Sequence, residues 1–196
     1  LGGNGQLGEH LDWDVTVYRS ELDDEILSVA SSFGVIAQSS NYPDSTVHQG
    51  VEAALHGALP AGPGTLSYRA VWTYSDFYFD GGEFEDNQIA GVPEQVLFGS
   101  LSYRLQDVTA GASVYSQPTD NQVDHANTLK QDAYWLLGLQ FGWEPREHFR
   151  LYLNVNNLLD NNYEASYAVR DRSSAELPTF NPGNGRDIIG GFSYRW

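Results

Sequence analysis

The sequence predicts an all-β chain: an antiparallel, up-and-down transmembrane β-barrel, represented by about nine strands. Three observations carry this. Apolar and polar residues alternate with the two-residue period of a strand over most of the chain. The connections between alternating stretches take strict turns, short then long. All five Trp (Trp13, Trp72, Trp135, Trp143 and Trp196) fall on the apolar parity. The clearest stretch is Asp132 to Tyr163, DAYWLLGLQFGWEPREHFRLYLNVNNLLDNNY. Trp135, Leu137, Leu139, Phe141 and Trp143 share one side, and Phe149, Leu151, Leu153 and Val155 share it again after the turn. Trp135 and Trp143 are eight residues apart, roughly 26 Å along a strand at ~3.3 Å per residue. A tilt of ~40° brings that rise to about 20 Å, close to the apolar band between the two aromatic girdles of an outer-membrane barrel.

In chain order, Leu11 to Tyr18 sends Trp13, Val15 and Val17 one way and Asp12, Asp14 and Thr16 the other. An acidic short turn at 21–24 and a second strand from Glu25 to Ala30 are expected next. Residues 31–45 form a polar loop. Thr46 to Leu59 is a strand, the turn at 60–64 contains Pro and Gly, and Leu66 to Tyr78 is the next strand. After the acidic loop 80–91 come Glu94 to Leu105, a two-residue turn at Gln106-Asp107, and Val108 to Ser116. The polar loop 117–131 leads to the hairpin described above. The longest loop, 158–186, precedes the last strand, Asp187 to Trp196. Asp12, Asp14, Glu52, Arg69, Arg104, Arg150 and Arg195 lie on the polar parity. Arg19 breaks the pattern and is expected beside a short turn, snorkelling to the interface.

Composition narrows the function classes. A net charge of −16 excludes a nucleic-acid footprint. With no Cys there is no disulfide framework, thiolate metal site or Cys nucleophile. No run of about 18 apolar residues exists for a transmembrane helix. The chain starts at Leu1 and lacks Met, so it is expected to be a fragment or processed piece. Nine strands do not make the even number of a bacterial barrel, so further strands are expected on the N-terminal side. The aromatic end Tyr194-Arg195-Trp196 looks like the authentic C-terminus of an outer-membrane barrel. That likeness implies the barrel-assembly machinery as a partner, reading Trp196.

Several short motifs occur together: Asp24-Glu25-Ile26, Thr46 to Glu52 (TVHQGVE), Gly91-Val92-Pro93-Glu94, Asn127-Thr128, Asn156 to Tyr163 (NNLLDNNY) and Asn181 to Arg186 (NPGNGR). Jointly they resemble the C-terminal part of TonB-dependent outer-membrane receptors over essentially the whole chain, 1–196. The resemblance implies the last nine strands of a barrel of about 22 strands enclosing an N-terminal plug. It further implies the outer membrane of a Gram-negative bacterium, contact with outer-membrane lipid, and uptake of a ferric siderophore or similar metal chelate. The energy would come from TonB through N-terminal parts not found in this chain.

Enzymatic chemistry finds no support. No GxSxG, P-loop or CxxC motif is present. The five His (His10, His48, His56, His125 and His148) show no ligand spacing, and His48 and His56 are eight residues apart. Asp12 and Asp14 read as a solvated lumen wall rather than a cation site, and no cofactor is implied. Resemblance places ligands on the long loops. There Arg170, Arg172 and Arg186, three of ten basic residues, are the candidates for drawing an anionic chelate, with Tyr167 and His125 as further contacts. The bland alternative has these Arg pair with Asp171, Glu176 or Asp187. Two rival functions remain at this point: a passive or substrate-specific porin, and a secreted Trp-rich carbohydrate-binding sandwich.

Overall fold

The structure is a computed structural model and describes residues 1–28, 39–173 and 179–195. Nine strands follow one another: β1 Gly2–Leu7, β2 Leu11–Leu22, β3 Ser45–Ala61, β4 Gly64–Asp80, β5 Gln95–Leu105, β6 Val108–Gln117, β7 Tyr134–Arg146, β8 Phe149–Asn156 and β9 Asp187–Tyr194. Each pairs antiparallel with its neighbours in sequence, giving one sheet without a crossover. The remaining strands among the described residues form three two-stranded ribbons inside the long connections. Among the described residues no second sheet packs on this one, which overturns the carbohydrate-binding sandwich.

Nine strands were expected and nine are found, but the set differs in one member. Residues 2–7, GGNGQL, form a strand that the sequence pattern does not announce. Three Gly and no apolar alternation hide it; it is held by backbone pairing to β2, from Gly2 opposite Thr16 to Leu7 opposite Leu11. Conversely, Glu25 to Ala30 is not a barrel strand. Ile26–Ser28 folds onto Ser39–Asn41 as a ribbon, and Val29 and Ala30 lie outside the described residues. The expected turn at 21–24 is instead the end of β2 and the start of a long connection. β2 therefore runs in the opposite sense to the expectation. Arg19 follows it: this residue sits towards a long connection, bonding Gln49 at 2.7 Å and Glu21 at 2.9 Å. The turn expected over 60–64 is tighter than that. Ala61 pairs with Gly64, so only Gly62 and Pro63 turn, and Gly62 takes the φ of 60° that a two-residue hairpin of this kind needs.

With these corrections the connections are short at 8–10, 62–63, 106–107 and 147–148, and long at 23–44, 81–94, 118–133 and 157–186. In an antiparallel meander, consecutive connections lie at opposite ends. All short turns are thus at one end of the sheet and all long connections at the other.

Cross-strand register settles the two faces. One row runs Val15–Ala53–Trp72–Leu97, another Leu101–Ala112–Leu139–Val155–Ile188, and a third Leu105–Val108–Trp143–Leu151–Phe192. The opposite face carries Asp12–His56–Arg69–Ser100–Ser113 and Ser102–Gly111–Gln140–Asn154. The four described Trp share the apolar face and are each 37–45% exposed; Trp196 lies outside the described residues. In water such a carpet would be an aggregation surface. In hydrocarbon it is the solvated face of a barrel wall. The enclosed hydrophobic residues lie elsewhere. Tyr42, Val47, Phe79, Phe84, Ile89, Ala90 and Val123 all belong to the long connections or the strand ends that feed them.

Candidate functional site

The described parts of the four long connections fold onto one another as a cap. Its apolar centre packs Tyr42, Phe79, Phe84 and Ile89, with Leu27, Phe77 and Ala126 against them. Phe79 meets Tyr42 at 4.7 Å and Phe84 at 5.4 Å between ring centroids. β4 supplies Phe77 and Phe79 on its polar parity, so that face turns apolar as it leaves the wall and enters the cap.

Around this centre, side-chain-to-backbone hydrogen bonds join the connections. Asp124 is fully enclosed; its carboxylate accepts from the Thr128 hydroxyl, from backbone Thr128 and Leu129 at 2.7 and 3.0 Å, and from backbone Ser173 at 2.8 Å. Burial by itself would raise this carboxyl. The Thr128 hydroxyl and the three backbone donors outweigh it and hold the carboxyl below its ordinary value. Asn127, in the left-handed region at φ 56°, donates to the Gln88 carbonyl and accepts from the Gln88 N–H, both at 2.9 Å. Asn121 accepts from backbone Glu94 at 3.1 Å. Glu25 accepts from the Thr46 hydroxyl and lies 3.1 Å from the ring of His48, which stacks on Phe77 at 4.1 Å.

The last connection is stapled at its base. Asn157 donates to the carbonyls of Asn161 and Asn184, and Asp160 accepts from backbone Arg186 at 2.7 Å. The Tyr163 ring fills the space a Cβ on Gly183 would occupy, 2.1 Å away. NNLLDNNY and NPGNGR are therefore two halves of one closure, and the other quoted motifs are the cap's remaining joints.

The residues expected to meet a ligand are dispersed by this packing. His125 is 1% exposed, with Nδ1 accepting from backbone Ala90 at 3.2 Å and Nε2 at 3.1 Å from the Ser28 carbonyl. It is a structural joint and presents no ring edge to solvent. Arg172 pairs with Glu83 at 2.9 Å and lies over the Phe84 ring. Arg186 approaches Asp160 at 3.9 Å. Arg170 donates to the Thr179 hydroxyl at 3.3 Å. The carboxylate partners of Arg172 and Arg186 are thus Glu83 and Asp160, neither of them in the bland alternative; Glu176 lies outside the described residues. Tyr167 does line a hollow, of about 260 Å³, with Gly91, Pro93, Gln117, Gln131 and Val169.

A second hollow, of about 520 Å³, takes its wall from the same ribbon, Glu164–Tyr167 with Phe180–Pro182. Tyr134 and Tyr163 line it, stacked at 4.9 Å, and Tyr115 continues the row at 6.1 Å from Tyr134. Tyr115 and Tyr134 lie on the polar parity at the cap end of β6 and β7. Sequence reasoning passed over them, although aromatic residues on an otherwise polar parity next to long connections are a signal that was available. The row offers flat π-faces and phenol oxygens to a ligand. Acidic side chains dispersed among the described residues form no three-ligand metal cluster.

Comparison with known proteins fits this geometry. Over residues 2–158 the chain matches the family model described as TonB dependent receptor-like, beta-barrel. Among solved structures it resembles the siderophore receptor PiuA from Acinetobacter baumannii, at 20% identity and a TM-score of 0.73, covering 96% of this chain and 26% of that one. It resembles the ferric yersiniabactin uptake receptor FyuA from Yersinia pestis, at 18% identity and a TM-score of 0.75, covering 97% and 28%. The copper transporter OprC matches at 17% identity and a TM-score of 0.75, covering 98% and 30%. The chain thus spans between about a quarter and a third of the length of these proteins, and at these identities the likeness is one of fold. A nine-strand meander with an apolar face, long connections gathered at one end and a family match over four-fifths of its length together place it: the chain belongs to the TonB-dependent receptor β-barrel family.

Proposed function

We propose that this chain is part of a receptor in the Gram-negative outer membrane that takes up a ferric siderophore or similar metal chelate. TonB would energise it through segments of the receptor beyond this chain. The observation that carries the reading is the family match over a sheet with a lipid-type face and a folded cap at one end. Solved receptors of the same fold are named for siderophore or copper transport, which supports a metal complex as the cargo. A receptor is favoured over a porin on the family assignment. The cap end is then extracellular, the short turns are periplasmic, and Trp196 is the residue the barrel-assembly machinery would read.

On this reading the ligand meets Tyr167 and the row Tyr115, Tyr134 and Tyr163 first. Arg170, Arg172 and Arg186 contribute by exchanging their present partners for the anionic groups of a chelate. An exposed ion pair of the Arg172–Glu83 kind is worth only about 0–1 kcal/mol, so a chelate carboxylate competes for it readily. The test is uptake of radiolabelled ferric chelates by cells expressing the intact receptor, with and without TonB. Uptake that requires TonB supports the proposal; uptake unaffected by removing TonB refutes it. Binding to the receptor with all three Arg changed to Gln then locates the ligand. Affinity and salt dependence unchanged from wild type would make these Arg scaffolding and leave the aromatic row as the contact surface.

A further inference from the structure

We propose that His125 is a pH-operated latch, holding the four long connections together at neutral pH and releasing them in acid. One residue touches all four. Its Nε2 faces the Ser28 carbonyl of the first connection at 3.1 Å. Its Nδ1 accepts from backbone Ala90 of the second at 3.2 Å, and its carbonyl accepts from Asn87 Nδ2 at 2.9 Å. Residue 125 itself belongs to the third. Its backbone N–H donates to the Arg170 carbonyl of the fourth at 2.9 Å. The ring is enclosed against Phe79, edge-on at 5.1 Å, and Phe84 at 6.0 Å.

This pattern assigns the tautomer. Nδ1 accepts, so the single proton of the neutral ring is on Nε2 and points at Ser28. A second proton can go only to Nδ1. There it would confront the Ala90 N–H, cancel that bond and leave a charge inside an aromatic cluster.

The charged groups around the ring do not offset this. On its own segment the Asp124 carboxylate is occupied by Thr128, Leu129 and Ser173. From the first connection Glu25 is occupied by Thr46 and His48. From the second, Glu83 is exposed and paired with Arg172 of the fourth; Glu85 and Asp86 follow it in the chain. The fourth also brings Arg170 and Asp171, whose carboxyl burial pushes up, towards the neutral form. Burial lowers the affinity of the His125 ring for its proton. The Ser28 carbonyl, Asp124 and Glu25 act in the opposite sense and do not overcome it.

An opened cap exposes a ring of ordinary basicity, near pH 6.5. The open form therefore takes up the proton first. Below about pH 6.5 the closed form loses ground by roughly tenfold per pH unit, until the folded value is passed. Asp124 titrates in a separate, lower window, since its carboxyl is held below its ordinary 3.8.

The experiment is hydrogen exchange on the intact receptor in lipid, from about pH 7.5 to about pH 5, corrected for intrinsic chemistry. The amides of Ala90, His125 and Ala126 report the cap, and those of Leu139 and Leu153 report the wall. Opening of the cap should rise with a midpoint below about pH 6.5 while the wall stays flat. His125→Asn retains an acceptor and cannot be protonated. It should abolish the pH step, whether its cap is closed at both ends of the range or open at both. A flat wild-type profile overturns the proposal. So does a step that persists in His125→Asn, or one that disappears in His48→Asn instead.

Discussion

In the barrel wall, large hydrophobic residues such as Trp13, Leu101 and Phe192 are 40–72% exposed, whereas in the cap Val47, Phe79 and Val123 are fully enclosed. The same chain satisfies two solvents. The wall uses one rule, period two, and on the function proposed above leaves its apolar side chains to lipid. The cap obeys the rule of a soluble domain: aromatic rings inside, and polar groups that are buried only when hydrogen-bonded. The comparison teaches that a mutation's cost here depends on which solvent its side chain faces.

The largest separation of the two regions should come from Phe79→Ala. It opens a cavity in the aromatic cluster at the centre of the cap and should cost about 3–5 kcal/mol of cap stability. Protection of the Ala90 and Ala126 amides should fall, while folding of the wall, followed by gel mobility shift on heating, changes far less. Equal losses in both would mean that cap and wall unfold as one unit.

Leu139→Arg should cost about 2–4 kcal/mol in a folding titration in lipid, because it carries a charge to mid-height on the apolar face. Gln140→Arg, on the polar face one residue away, should be close to neutral. Equal effects would contradict the face assignment.

The period-two signal explains what could be read in advance. Trp135 to Trp143 and Phe149 to Val155 declared their strands, faces and turn, because burial or lipid contact on one side writes directly into every second residue. Gly2 to Leu7 did not, since GGNGQL pairs through backbone alone. Ile26 to Ser28 misled because a short apolar run has the same local pattern in a loop ribbon as in a wall. The cap's joints were visible only as motifs. Asp124 serves Thr128 and Leu129, four and five residues away, but also Ser173, and no local periodicity encodes a partner 49 residues distant. His125 was expected to touch a ligand for the same reason: a polar residue in a loop gives no sign that other loops will enclose it.

Gly183→Ala should have a smaller effect, roughly 1–3 kcal/mol on the base of the last connection, since its methyl would strike the Tyr163 ring. Tyr163→Ala should relieve the clash in the double variant. Additive losses in that pair, read from exchange at Arg186, would show that the ring and Gly183 do not share the space.

The smallest change is expected from Arg172→Gln. Both partners of Arg172–Glu83 are more than half exposed, at 60% and 65% of the side chain, so cap stability should fall by about 0–1 kcal/mol. A larger loss would move this pair from the rim of the cap into its framework.

In the proposed outer-membrane setting, one feature of the apolar face sets how deeply the protein floats. Above the row Val17–Val51–Tyr74 comes Arg19–Gln49–Asp76, joined through Gln49 at 2.7 Å to each neighbour. Arg19 and Asp76 are charged groups on the apolar side of the wall, and dragging them into hydrocarbon would cost on the order of several kcal/mol. They act as a waterline. The barrel can tilt or the bilayer can thin to meet it, but the wall cannot sink past it. On that reading membrane thickness is matched to the span below Asp76, and the cap stays clear of the lipid at a fixed height.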